Sequence, residues 1–324
     1  MNRRRLLLSA SAAAVLHASG CAPSQVHPPK VRRVGLLFGT LVQRDLDAFR
    51  DGLREYGWID GENVIVDVRS GEGDVTAYEA HAVALVNLPS DLIVTSNSTA
   101  ALALKRATTT IPIVMAGVQE PLALGLVSSL GQPGGNVTGL GRLTTQLGAK
   151  RLEILKEVLT DLSRVVMLWD SSQAAALGVA QIESVAPALG LKVQVLEVKS
   201  ADDFEPALAA AIRERAEAMI TNGALFRVQR ERLAQAASRA RIPSIHSDKS
   251  YVEAGLLMSF GEDLPAIYRR SAAFVDRIFR GAKPADLPIE EPRVFEFAVN
   301  LTTAEMLGLH IPQSLGSRVT EWIR

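Results

Sequence analysis

Between residues 34 and 246 the apolar residues switch repeatedly between a spacing of two and a spacing of 3.6. That alternation is the strongest constraint on the fold, because strands separated by helix-length segments form βαβ units around a parallel sheet. "VGLLF" (34–38) reads as a buried strand, followed by an amphipathic helix over 41–57 that ends at Gly57. A strand at 63–69, a helix at 75–87, a strand at 91–96, a helix at 99–107 and a strand at 111–115 come next. A short helix near 121–130 and a strand at 136–140 close this run.

The pattern then restarts with the helix "QLGAKRLEILKEVL" (146–159), which carries Leu152, Leu155, Val158 and Leu159 on one face. Strands at 164–169, 192–198, 216–221 and 242–246 follow, separated by helices at 174–189, 203–215 and 226–240. Two complete runs predict an α/β protein of two doubly wound lobes, each with right-handed crossovers. The length of 324 residues fits two such lobes better than one.

Ligands of doubly wound sheets bind outside the carboxyl ends of the strands. Those ends are polar or small here: Ser96-Asn97-Ser98-Thr99, Gly117-Val118-Gln119-Glu120, Trp169-Asp170, Asn222-Gly223 and His246-Ser247-Asp248. Ser96 to Thr99 open a helix, where free N–H groups and the positive dipole end suit a carboxylate. The same residues also read as an ordinary N-cap formed by Ser98 or Thr99. Glu120 and Asp170 either accept an ammonium group or cap their own helices. With aromatics at only 5%, Trp169 at a strand end stands out, either to stack on a ligand or to cover the core. Phe38, Phe226, Tyr251 and Phe260 are weaker aromatic candidates.

Signs of catalysis are lacking. There is no GxGxxG after a strand, no GxxxxGK[ST], no GxSxG and no HExxH. His246 closes a strand and could reach the cleft, although a lone loop histidine is more often a hydrogen-bonding partner than a base. His81 and His310 read as structural. One cysteine permits neither a disulfide nor a cysteine-based metal site. No cofactor is implied, and the reading is a binding protein, not an enzyme.

The N-terminus addresses the compartment. Arg3-Arg4-Arg5, an uncharged run from Leu6 to Leu16, and the small residues Ala18-Ser19-Gly20 have the order of an export signal. A run of eleven residues spans only about 16 Å as a helix, too short to cross a bilayer. Ala18-Ser19-Gly20-Cys21 resembles a bacterial lipobox, which makes Cys21 the expected lipidation site; the alternative is a signal peptide cut nearby with a chance cysteine. The expected layout is a signal peptide at 1–20 and a lipidated tether at 21–30. Removing Arg3, Arg4 and Arg5 leaves 32 basic against 35 acidic groups, net −3, with no basic stripe to hold nucleic acid.

The blocks "AFRDGLREYGWIDGENVIVDVRSGEGD", "DLIVTSNSTAALALKRATTTIPIVMAG", "QPGGNVTGL", "KRLEILKEV", "YVEAGLLMSFGEDL" and "FEFAVNLTTAEMLGLHIP" occur in order from about Val31 onward. They resemble the ABC-transporter substrate-binding protein family of the tryptophan-binding type. The resemblance implies a type I periplasmic-binding-protein fold, two Rossmann-like lobes joined by a multi-crossing hinge. It implies lobe one at 31–141 plus about 259–290, and lobe two with the hinge at 142–258 plus about 291–324. By position, Ser96–Thr99 and Gly117–Glu120 would contact a ligand from lobe one. Trp169, Asp170, Asn222, Gly223 and the segment from His246 to Tyr251 would face them. The implied ligand is a small solute of the amino-acid class, aromatic amino acids included, handed by a monomer to an ABC permease. A sensory module presenting the closed lobes to a receptor, or an exported enzyme, would use the same scaffold.

Overall fold

The computed structural model describes residues 31–324 except Gly73 and Leu143. The leader, the tether and Cys21 lie outside the described residues.

Short β-branched and leucine-rich runs form the strands, and each is followed by a polar turn that starts a helix. The first run gives β1 (Arg32–Phe38), α1 (Gln43–Glu55), β2 (Val64–Ser70), α2 (Val75–Asn87), β3 (Leu92–Thr95), α3 (Ser98–Ala107), β4 (Ile113–Gln119) and β5 (Val137–Arg142). The five strands lie in the order β2-β1-β3-β4-β5, all parallel. The second run gives α4 (Thr144–Val158), β6 (Arg164–Trp169), α5 (Gln173–Val185), β7 (Lys192–Glu197), α6 (Phe204–Arg213), β8 (Ala218–Asn222), α7 (Ala224–Val228), α8 (Arg230–Ala240), β9 (Ser244–His246) and α9 (Lys249–Glu253). The remainder is β10 (Met258–Glu262), α10 (Leu264–Phe279), β11 (Phe295–Asn300), α11 (Leu301–Leu307), α12 (Gln313–Gly316) and β12 (Glu321–Ile323). The second sheet runs β12-β11-β10-β9-β8-β6-β7, with β11 antiparallel to β10. These two lobes of parallel sheet are the α/β architecture expected from the periodicity.

Each sheet is covered on both faces. Leu46, Phe49 and Leu53 of α1 pack with Tyr268, Phe274 and Val275 of α10 on one face of the first sheet, while α2 and α3 cover the other. Leu152 and Leu155 of α4, both wholly buried, pack on the second sheet with Val158 and Leu159 beside them. α6 and α8 fill its opposite face around Phe204 and Phe226, whose rings stack at 5.7 Å. The chain passes between the lobes from β5 to α4, from β10 to α10, and from α10 to β11. On that last passage residues 287–290 lie along β5: Thr138 Oγ1 donates to the Leu287 carbonyl at 2.7 Å, and Glu290 N to Gly139 O at 3.0 Å.

Four local expectations change. Residues 121–130 form turns instead of a helix, since Gly125 takes φ +65° and Ser128 donates to the Gln132 and Pro133 carbonyls. The strand expected to stop at Met115 continues to Gln119, through a register shift between Ala116 and Val118 that Gly117 absorbs at φ +86°. Helix 226–240 divides at Gln229, where φ −103° and ψ 27° leave the helical region. Helix 174–189 ends as a 3-10 turn over 186–189 containing Pro187.

Candidate functional site

The carboxyl ends of strands from both sheets converge on one cavity of about 150 Å³. Its first wall holds Gly39 and Thr40 after β1, Ser96 to Thr99 after β3, Gly117 and Gln119 of β4, and Arg142 at the end of β5. The facing wall holds Ser172, Ala175, Gly178 and Gln181 around α5, and Thr221, Asn222 and Gly223 at the end of β8. Ser247, Asp248 and Tyr251 come from the turn after β9; Arg151 of α4 and Arg227 of α7 complete it. A cavity of this volume between two lobes suits a small solute.

Local chemistry fixes the first wall. Asn97, not Ser98 or Thr99, caps α3: its Oδ1 accepts from Ala100 N at 2.9 Å. Ser98 Oγ accepts from Gln119 N at 3.1 Å and donates to Gln119 O at 3.3 Å, which pins the helix start to the end of β4. The first N–H groups of α3, which have no partner inside the helix, therefore border the cavity. On the facing wall, Asn222 Nδ2 donates to the Ala175 carbonyl at 2.8 Å and so joins β8 to α5.

A chain of charges crosses between the lobes. Arg227 Nη2 donates to Asp45 Oδ2 at 2.9 Å, and Asp45, in the first turn of α1, is wholly buried. Arg227 Nε stands 3.5 Å from Asp248 Oδ2. Arg44 Nη1 reaches Glu253 across the same gap at 2.7 Å. With Ala174 and Leu177 of α5 packed on the first lobe's apolar cluster, these contacts hold the lobes together around the cavity.

Burial and pairing compete at each group. Burial raises Asp45 despite Arg227 beside it. For Asp248, burial is outweighed by Arg227 and by the hydrogen bonds from Ser250, so its carboxyl stays below the usual range. Arg142 donates to Glu262 Oε2 at 2.7 Å, both being buried; that pair outweighs their desolvation, raising the arginine and lowering the glutamate. Burial raises the phenols of Tyr251 and Tyr268, which stay protonated. Both rings are braced from behind: Tyr251 stacks on His246 at 4.6 Å and 10°, and Tyr268 lies 5.2 Å from Phe38.

Ser96, Asn97, Ser98, Thr99, Gly117, Asn222, Gly223 and Tyr251 thus border the cavity, while Val118, Glu120, Trp169, Asp170 and His246 do not, nor do the weaker aromatic candidates Phe38, Phe226 and Phe260. Val118 points into the first lobe's core, because the bulge at Gly117 makes it a strand residue. Glu120 sits one place beyond the wall at φ +47°, and Gln119 borders the cavity instead. Trp169 is half-buried at the end of β6. Asp170 is engaged by the backbone, accepting from Ser172 N at 3.1 Å and Leu225 N at 3.2 Å. His246 is buried behind Tyr251, its Nδ1 3.0 Å from Thr221 Oγ1, and burial pushes its pKa down to about 3. It is a neutral brace.

Sequence reasoning missed Arg142, Arg151, Arg227 and Tyr268, whereas Asp248 lay within the expected segment from His246 to Tyr251. Arg151, Arg227 and Tyr268 sit inside helices, where an arginine reads as a solvated face and a tyrosine as core. Arg142 was accessible in principle, as the last residue of the strand "VTGLGR".

The sequence profile of the ABC transporter substrate binding protein family matches residues 40–323. The chain belongs to this family. A "Tyrosine-binding protein" of Clostridioides difficile is 23% identical over 262 residues, covering 81% of this chain and 75% of that protein. The crystal structure of an ABC domain from Streptococcus pneumoniae in complex with L-Trp superposes with a TM-score of 0.83 at 24% identity, covering 90% of this chain and 99% of that one. A conserved domain protein of Vibrio cholerae gives the same TM-score at 29% identity, covering 90% and 100%. Members of the family are extracytoplasmic and bind substrates without transforming them. Among the described residues no helix is long and apolar enough to cross a membrane.

Proposed function

We propose that this protein captures a small solute, an amino acid and in the first instance an aromatic one, and delivers it to an ABC permease. The observation that carries the reading is the cavity between the lobes, enclosed by cross-lobe ion pairs and bordered by both polar anchors and flat rings. Tyr251 and Tyr268 offer faces for a ring, and Asp248 is an ionised acceptor for an ammonium group. The tyrosine- and tryptophan-binding relatives support the same class. Closure around the solute would form the surface that a permease reads, and Cys21 would hold the exported monomer at the membrane by its lipid.

A thermal-shift panel of amino acids, polyols and purines tests the capture. A ligand at 100 times its Kd adds about 2.7 kcal/mol to stability, which moves the melting temperature by several degrees. A panel that leaves the melting temperature unmoved throughout removes the reading. Anchoring is tested separately: Cys21→Ser should shift the protein from the membrane fraction to the soluble one, and a wild type already soluble after export contradicts the lipid.

A further inference from the structure

Behind the crossings between the lobes lies a hollow of about 370 Å³, bordered by Leu140 of β5, by Ala266, Ile267 and Arg270 of α10, and by Val294 at the entry to β11. It stands on the far side of α10 from the solute cavity. Leu264 and Tyr268 of that helix border the cavity, whereas Ala266 and Arg270 border the hollow, and two residues turn a helix by about 200°.

The third crossing passes over this hollow and is pinned only at its ends. Glu290 N donates to Gly139 O at 3.0 Å, and Gly141 N donates to Glu290 O at 2.9 Å. Arg270 grips the Glu290 carboxylate through Nε and Nη2, both at 2.9 Å, so Glu290 is fixed to the first lobe. Four residues on, Asp263 N donates to Val294 O at 3.0 Å, and Phe295 pairs with Glu262 in the second sheet. In between, Glu291, Pro292 and Arg293 make no backbone hydrogen bond among the described residues. They form a strap whose two ends belong to different lobes. The lobes touch across the cavity, and a rotation about the crossings that parts them there brings them together on the opposite side.

We propose that this hollow sets the resting balance between open and closed lobes: it must shrink for the cavity to open, so a group that fills it holds the protein closed. The device belongs to the two-lobe scaffold and acts whatever solute the cavity takes.

Wedge substitutions test it, read by small-angle X-ray scattering of the full-length protein without added solute. Ala266→Phe fills the hollow from the first lobe and keeps the backbone N–H that Asp263 caps. Val294→Phe fills it from the side of β11. Val83→Phe is the control: Val83 is as exposed as Val294, both at 52%, and sits on α2 at the β2 edge of the first sheet, opposite β5. Each ring is placed in wild type and in Arg227→Gln, which lacks the ion pair to Asp45. Either hollow-filling ring should lower the radius of gyration in the more open of the two backgrounds and recover most of any expansion that Arg227→Gln produces. Val83→Phe should leave the radius where it was. A radius unchanged or enlarged by the hollow-filling rings overturns the proposal, as does equal compaction by Val83→Phe. Urea midpoints identify the folded variants, and one folded wedge is enough for the test. If neither wedge folds, the hollow is not space that the fold leaves free, and the proposal falls.

Discussion

At the scale of single residues, His246 and Trp169 separate bracing from contact. His246 has a folded pKa near 3 against 6.5 in the unfolded chain, so below pH 6.5 the unfolded chain takes up a proton that the folded protein refuses. Stability from this group is complete above pH 6.5 and falls by about 1.4 kcal/mol per pH unit down to about pH 3. Asp45 and Glu296, both raised by burial, act in the opposite sense over part of that range. The histidine is therefore isolated by difference: urea unfolding between pH 6 and 4.5 should show a steeper loss for wild type than for His246→Phe, by about 2 kcal/mol across the window. Equal slopes would place the imidazole in water. For the aromatics, Tyr251→Ala should weaken solute binding at least about tenfold, since the ring borders the cavity. Trp169→Ala should leave affinity within about twofold; a large loss in titration would bring the indole into the site.

At the scale of elements, turns set the site more than helices do. Gly223 takes φ +132° between β8 and α7, and a Cβ there would strike the Asp170 carboxylate, which accepts from Leu225 N at the start of the same helix. Gly223→Ala thus combines a backbone penalty with a displaced capping contact, and about 2 kcal/mol of stability should be lost in urea unfolding. Asn97→Ala removes the cap of α3 and should cost about 1 kcal/mol while loosening the turn from Ser96 to Thr99. A variant as stable as wild type would mean that Ser98 or Thr99 takes over the cap.

At the scale of the whole molecule, ion pairs bridge the gap between the lobes. Arg227 reaches Asp45 from the opposite lobe, and Asp45 is wholly buried beneath that contact. Arg227→Gln should shift the population toward open forms, with a larger radius of gyration in X-ray scattering. Apparent affinity falls in proportion to the closed fraction, so a tenfold loss corresponds to about 1.4 kcal/mol withdrawn from closure. Scattering identical to wild type, with unchanged affinity, would show that the pair only fills space.

The sequence by itself determined the two α/β lobes and the polar strand ends, because apolar periodicity and the turn residues after each strand are local properties. Ser96 to Thr99, Asn222 and Gly223 were legible for that reason: a strand end in a parallel sheet has one place to be. Tertiary structure alone decided that Val118 belongs to the core, since the bulge at Gly117 depends on pairing with β5. It also decided that His246 supports Tyr251 from behind, and that Arg151, Arg227 and Tyr268 leave helical positions of unremarkable pattern to meet around the cavity. A charge in a helix carries no local mark of its partner, and Asp45 lies 182 residues before the arginine that crosses the gap to meet it.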